Sequence, residues 1–280
     1  MTLNWKNLPA MDRPYAEVIG DPIAHSKSPM IHGFWIEQCG INAAYRAAHV
    51  LPDDLVDYIQ TRRADPNWRG CNVTIPHKEA IIPLVSDPGG VGKSIGAMNT
   101  IVRDDKDALI GTNTDAAGFV SPLIAAGWEG KSAIVVGSGG AARAIIYGLK
   151  MIGVTNFTIV ARNALKAMGL LSQLGVKGNV IGFDKPLPSA PLLVNASALG
   201  MNGQEPYTPD LSPLPSDAVV YDVVYTPLDT PLLQAADASG LAVVDGLEML
   251  VGQAAAAFEL FFGKEAPRDD DDALWALLTA

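Results

Sequence analysis

Two hydrophobic rhythms alternate along nearly the whole chain. Short apolar, β-branched runs read as strands, and stretches with apolar residues every three or four positions read as helices. Ala16–Ile19, Ala43–Arg46 and Gly70–Val73 predict the first three strands. A helix is predicted from Pro29 to about Cys39 with Gly40 as its stop, its core face formed by Ile31, Phe34, Trp35 and Gln38 or Ile36. A second runs from Pro52 to about Arg62. Met98–Val102 and Ala108–Gly111 pair as a hairpin around a polar turn, and a helix from Thr114 to Ala126 crosses into a second domain. Ser132–Val136 and Asn156–Ala161 open that domain, and Leu192–Asn195, Val219–Asp222 and Leu241–Val244 continue it. Residues 186–191 and 204–216 are proline-rich loops. From Leu247 to Phe262 apolar residues cover more than one helical face, which predicts a buried helix. A last helix, Ala273–Leu278, follows four aspartates whose charge suits a helix N-terminus. This alternation is that of an α/β protein. The two C-terminal helices do not extend it, and the simplest packing returns them to the first domain.

The junction at residue 137 carries chemistry. Ser132–Val136 ends in Gly137, Ser138, Gly139, Gly140 and Ala141, and a helical pattern follows at once. A strand, a tight glycine turn and a helix make a phosphate-binding βα unit: Gly137 for the turn, Gly139 and Gly140 for close backbone approach, Ala142 at the helix–strand contact. An ordinary tight turn carries the same glycines. The end of the next strand sharpens the choice. An NAD site places Asp or Glu there to accept from the ribose 2′-hydroxyl. This chain has Ala161, Arg162 and Asn163, with Lys166 one turn on. Cations and an amide suit a 2′-phosphate, which a guanidinium grips in a fork. The expected cofactor is NADP(H).

Composition narrows the partners. Across 280 residues the formal net charge is −10, which argues against nucleic acid and anionic membranes, and 49% hydrophobic residues suffice for real cores. Two cysteines, Cys39 and Cys71, form no C-x-x-C and the chain begins without an export signal, so the expected compartment is the cytoplasm. No run is long enough to span a membrane. The four histidines lack metal-ligand spacing, and no metal is expected.

Polar clusters sit at the carboxyl ends of strands, where open parallel sheets bind ligands. His25-Ser26-Lys27-Ser28-Pro29 follows the first strand, and its hydroxyls suit a carboxylate or polyol as well as a helix cap. Asn72-Val73-Thr74-Ile75-Pro76-His77-Lys78 follows the third. A lysine held in a closing cleft is a candidate general acid or base. Asn99 and Asp115 stand at further element ends.

This ordered set, with Gly20 to Pro29, Asn72 to Lys78, Gly96 to Thr100, Gly111 to Asp115, Asn195 to Met201, Asp222 to Pro227 and Gly246 to Gln253, resembles the shikimate dehydrogenase family from about residue 15 to 262. The resemblance implies two lobes: residues 1–114 with 248–280 for substrate, and a Rossmann-type domain, 115–247, for NADP. It implies reversible NADPH reduction of 3-dehydroshikimate to shikimate on the way to aromatic amino acids. Ser26 and Ser28 would take the carboxylate, with Tyr225 near it; Thr74, Asn99 and Gln253 would take ring hydroxyls. Lys78 and Asp115 would be the catalytic pair. Gly137 to Ala141 would hold the pyrophosphate, Ala161, Arg162, Asn163 and Lys166 the 2′-phosphate side, and Val223 and Gly246 would border the nicotinamide. The glycine-rich stretch Pro88–Lys93 departs from the family's often acidic one, and Ala161 and Asn163 flank the arginine where Asn or Thr is frequent. A quinate/shikimate dehydrogenase using NAD or either cofactor is the nearest alternative, against which Ser28 and Arg162 weigh. A catalytically silent sensor is another, against which the intact Lys78 and Asp115 weigh. A homodimer is one expectation for the assembly.

Overall fold

A computed structural model describes residues 4–280, and the chain divides into two units. The first holds residues up to Thr114 together with Gln253–Ala280; the second is Asp115–Gly252. In the first, the elements run β1 (Tyr15–Gly20), α1 (Ser28–Gln38), β2 (Ala44–His49), α2 (Leu55–Arg63), β3 (Trp68–Val73), α3 (Val91–Ile95), β4 (Thr100–Arg103) and β5 (Leu109–Thr112). The second contains α4 (Asp115–Ala125), β6 (Ser132–Val136), α5 (Gly140–Met151), β7 (Asn156–Val160), α6 (Ala164–Leu174), β8 (Lys177–Ile181), β9 (Leu192–Asn195), β10 (Val219–Asp222), α7 (Pro231–Ala238) and β11 (Ala242–Val244). The long helix α8 (Gly246–Phe262) starts in the second unit and ends in the first, which α9 (Asp271–Thr279) completes.

The first sheet has the order β2-β1-β3-β4-β5. β2 and β3 flank β1 in parallel, and β4 and β5 are antiparallel additions. Every residue of β1 is buried, because both faces are covered. Period-two alternation sends Tyr15 and Ile19 into a core with Tyr58, Trp68, Met98 and Ile101, and Ala16 and Val18 into another with Ala257 and Phe261 of α8. Glu17 falls on a buried face, and its carboxylate accepts from Arg62 Nε and Nη2 (2.7 and 3.0 Å), Tyr58 Oη (2.6 Å) and Arg46 Nε (2.8 Å).

The second sheet is parallel throughout, in the order β11-β10-β9-β6-β7-β8. The same alternation splits its core. Ala133, Val135, Leu192 and Val194 face Phe119, Ile145, Leu149 and Leu170; Ile134, Val136, Leu193 and Val220 face Tyr207, Leu214, Leu232 and Leu233.

Some elements correct the sequence reading. α1 buries Ser28, Ile31, His32 and Trp35, whereas Phe34 is half-buried and Gln38 exposed. His32 takes the core position because its ring stacks on Tyr45 at 3.9 Å between centroids. The glycine-rich stretch near residue 90 folds into the short helix α3 between Gly90 and Gly96, both at positive φ. β8 had no counterpart in the reading: its Lys177, Gly178 and Asn179 are exposed at a sheet edge and give no apolar run. The helix expected from Pro52 begins as a single 3-10 turn, Pro52–Asp54, before α2.

Candidate active site

In the first unit the chain leaves β1 toward β2 on one side and returns to β3 on the other. Such a reversal leaves a crevice outside the carboxyl ends of β1 and β3. The loops that follow these strands are tied together there, Thr74 N donating to Ile19 O and Asp21 N to Ile75 O, both at 2.9 Å. A Cβ on Gly20 would stand 2.5 Å from Thr74 Cγ2, so glycine at the end of β1 lets Thr74 pack against the strand. Ser28 N donates to Ser26 Oγ at 3.3 Å and folds the two hydroxyl-bearing residues into one turn at the start of α1. Between them, Lys27 Nζ donates to Leu278 O in the last turn of α9, and Gln38 at the far end of α1 bonds Asp270. A cation at a helix C-terminus is favoured by the helix dipole.

Lys78 lies in the turn after β3. His77 Nε2 bonds Val50 O at 2.8 Å, and Met98 N donates to Lys78 O at 2.8 Å, so the backbone on both sides of that residue is pinned. Burial pulls the His77 pKa down, and its imidazole is held neutral. Because β4 runs antiparallel to β3 and β5 to β4, the start of one and the end of the other reach the same crevice: Asn72 pairs with Thr100, and Thr100 with Thr112. Asn99, Thr100, Asn113 and Thr114 cluster there and are buried. Asn113 Nδ2 donates to Ala97 O at 2.9 Å. Thr114 N donates to Asn99 Oδ1 at 2.7 Å, and Asn99 Nδ2 donates to Thr114 Oγ1 at 3.0 Å and to Gln253 Oε1 of α8 at 3.4 Å. Ser26, Ser28, Thr74, Lys78, Asn99 and Gln253 all belong to this unit, hydroxyls, amides and one ammonium. Such a set offers donors and acceptors that suit a small polyhydroxylated acid and one group able to exchange a proton.

The second unit carries the remaining candidate residues. Asp115 is buried and opens α4. α4 leads through residues 126–131 into β6, so its start lies toward the carboxyl ends of the strands. β6 and β9 are neighbours at the point where strand order reverses, and the glycine turn leaves β6 there. Gly137 has φ +108°, and a Cβ on it would lie 3.0 Å from Ala196 O, so only glycine makes this turn without strain. Around Gly139 the space a Cβ would take is open. No side chain caps α5, which leaves its first N–H groups available to a phosphate, and Ala142 is fully buried against the sheet. Arg162, Asn163 and Lys166 are exposed just past β7, in a segment 161–166 that contains no Asp or Glu, and Asn163 also caps α6 by accepting from Lys166 N at 3.0 Å. These features fit a dinucleotide that carries a 2′-phosphate.

Around the end of β10 the sequence reading missed a hub. Asp222 accepts from Asn195 Nδ2 (2.9 Å), Val224 N (3.0 Å) and Thr230 Oγ1 (2.8 Å), so its carboxylate shapes the segment with Val223 and Tyr225. Burial raises its pKa against the pull of those donors. Burial likewise raises the Tyr225 pKa and keeps that hydroxyl protonated. A Cβ on Gly246 would meet Val223 O and Val224 O at 2.5 Å, so glycine brings the start of α8 against the same segment. The buried carboxamide and hydroxyls of Asn72, Thr100 and Thr114 were not assigned roles either. A polar residue at or next to the end of a strand, as in Asn72, Asn195 and Asp222, is the sequence signal that points to such positions. Among the described residues no His, Cys, Asp or Glu cluster could hold a metal ion, and no helix is long and apolar enough to cross a membrane.

Family models of a shikimate dehydrogenase substrate-binding domain and of a shikimate 5′-dehydrogenase C-terminal domain match residues 18–101 and 246–270. The chain is 61% identical over 267 residues to a shikimate dehydrogenase (NADP(+)) of Sphingopyxis alaskensis, covering 95% of this chain and 97% of the relative. It superposes with a TM-score of 0.83 and 33% identity on a shikimate 5-dehydrogenase of Thermus thermophilus solved with NADP(H) and shikimate, over 95% of this chain and 99% of that one. A quinate dehydrogenase of Corynebacterium glutamicum solved with NAD gives 0.84 at 28% identity, over 95% and 99%.

Proposed function

The chain belongs to the shikimate dehydrogenase family, and on that premise we propose that it catalyses the reversible NADP-dependent reduction of 3-dehydroshikimate to shikimate, a step toward aromatic amino acids. The observation that supports this most is the identity over nearly the full length, joined to an unbroken set of polar side chains at the carboxyl ends of the first sheet. The nicotinamide supplies hydride to the ketone carbon when bound, and the chain does the rest. In this reading Ser26 and Ser28 receive the carboxylate, with Tyr225 beside it as a neutral hydroxyl. Thr74, Asn99 and Gln253 hold ring hydroxyls. Lys78 delivers a proton to the carbonyl oxygen during reduction and takes it back during oxidation, while the Asp115 carboxylate orients the ammonium and accepts from the hydroxyl of the alcohol. Gly137 to Ala141 hold the pyrophosphate with backbone N–H groups. Arg162, with Ala161, Asn163 and Lys166, takes the 2′-phosphate, and Val223 and Gly246 line the nicotinamide side. The first unit would then be the substrate domain and the second the NADP domain. Cys39 and Cys71 are free thiols, in keeping with a reducing cytoplasm; a homodimer is the assembly to test by light scattering.

Initial rates of reduced-cofactor formation, NADPH or NADH, decide the substrate: shikimate and quinate, each with NADP+ and with NAD+. Shikimate with NADP+ is expected to be fastest by a wide margin. Faster turnover of quinate, or equal use of NAD+, overturns the reading and favours the function named for the Corynebacterium relative. In the same assay Arg162→Asp should weaken use of NADP+ far more than use of NAD+; equal effects remove Arg162 from cofactor choice.

A further inference from the structure

A hydrogen-bonded path runs through the interior of the first unit to the Asn99 carboxamide. Tyr45 Oη, on β2, donates to Asn72 Oδ1 at 2.6 Å, which commits Asn72 Nδ2 to face the other way. That nitrogen donates to Thr100 Oγ1 at 3.0 Å. The Thr100 hydroxyl has one proton, and it donates to Asn99 Oδ1 at 3.0 Å. Thr114 lies alongside, its Oγ1 3.2 Å from that of Thr100 and its N–H on the same Asn99 oxygen. Asn72 Nδ2 also reaches Asn99 O at 3.4 Å and Thr100 Oγ1 also neighbours Thr114 Oγ1, but the shorter bonds run in one direction from the Tyr45 end. Thr100 is fully buried and Asn72 and Asn99 nearly so, and water does not compete for these bonds. A phenol stacked on His32 and enclosed by α8 is a fixed starting point.

We propose that Thr100 is a positioning residue: its hydroxyl relays the Tyr45–Asn72 bonds to Asn99 and holds that carboxamide with oxygen inward and nitrogen toward Gln253, ready for the ring hydroxyls of the substrate. The proposal rests on the reading that Asn99 binds those hydroxyls. The β4 register explains why the relay needs a threonine here. Thr100 pairs with Asn72 on one side and with Thr112 on the other, and its side chain stands between the two carboxamides. Valine would have the same shape but would present a methyl group to a carboxamide oxygen on one side and an N–H on the other.

The test compares Thr100→Val, Thr100→Ser and Asn99→Ala in the full chain, reading KM for shikimate, KM for NADP+, kcat and Tm. Valine keeps the shape and loses the hydroxyl; serine keeps the hydroxyl and loses the methyl. A relay predicts that Thr100→Val raises KM for shikimate about 10-fold with KM for NADP+ unchanged, and that Thr100→Ser stays within about 2-fold of the parent. A packing role predicts the reverse order, and that result overturns the proposal. Parental kinetics in Thr100→Val beside a raised KM in Asn99→Ala overturns the relay alone and leaves Asn99 as a ligand. A parental KM in Asn99→Ala overturns both. Should Thr100→Val fail to fold, Tyr45→Phe removes only the hydroxyl at the start of the path; a KM for shikimate raised with KM for NADP+ unchanged supports the relay, and no change in either overturns it.

Discussion

Lys78 meets the heaviest chemical demand of any residue in the proposed site, since the alcohol oxygen must gain or lose a proton as hydride moves. Lys78→Ala is expected to lower kcat by at least about 10²-fold with a smaller change in KM, as befits proton transfer rather than binding. Steady-state kinetics check this, and a variant near full activity removes Lys78 from the mechanism. A different residue contributes to the loss of stability in acid. His32 is entirely buried, and burial lowers its pKa from 6.5 to about 3. The unfolded chain therefore takes up a proton on this ring before the folded chain does. Stability is intact above about pH 6.5 and is lost as pH falls from there toward about 3. At pH 5 the loss comes to about 2 kcal/mol from this group. His32→Phe should flatten that part of the pH profile of urea unfolding, and an unchanged slope between pH 6.5 and 5 counts against the assignment. Sequence could not anticipate this burial. A histidine on an otherwise apolar helix face has the same pattern whether it meets water or the ring of Tyr45.

Among the elements, the β6–α5 turn has a geometry that tolerates little beyond glycine. Gly137 adopts a φ of +108°, with the Ala196 carbonyl oxygen 3.0 Å from where a Cβ would stand. Gly137→Ala is expected to cost about 1–3 kcal/mol of stability. It should also weaken NADPH binding at least about 10-fold, because the N–H groups of the following turn would move with it. Fluorescence titration of NADPH and thermal melts read the two effects; parental affinity would detach this turn from the cofactor. The turn was legible because glycines, a β-branched strand and an alanine-rich helix occur together. β8 was not, because an exposed edge strand contains no apolar periodicity. The network around Asp222 was half legible: its position at a strand end was visible, its three partners from Asn195, Val224 and Thr230 were not, since two of them are distant in sequence or on the backbone.

At the scale of the molecule, the first unit is discontinuous. Residues up to Thr114 supply the sheet, but Ala257 and Phe261 close one of its faces and Gln253 bonds Asn99. A fragment ending at Thr114 would leave Val18, Ile23 and Tyr45 without that cover. We expect residues 1–114 to show no cooperative thermal transition, and the same fragment joined by a flexible linker to 253–280 to regain one. A sharp transition in the short fragment would show that the C-terminal helices are dispensable to its core.

Sequence alone determined the alternation of strands and helices, the glycine turn, the basic end of the strand at Arg162 and the order of the polar motifs. These are local properties, written in periodicity and in residues a few positions apart. Tertiary structure decided which face of α1 is covered, how Glu17 is neutralised, and how Asn72, Asn99, Thr100, Thr114 and Gln253 come within hydrogen-bond distance of one another. Those facts depend on strand register and on contacts between residues far apart in sequence, and these leave no trace in local pattern.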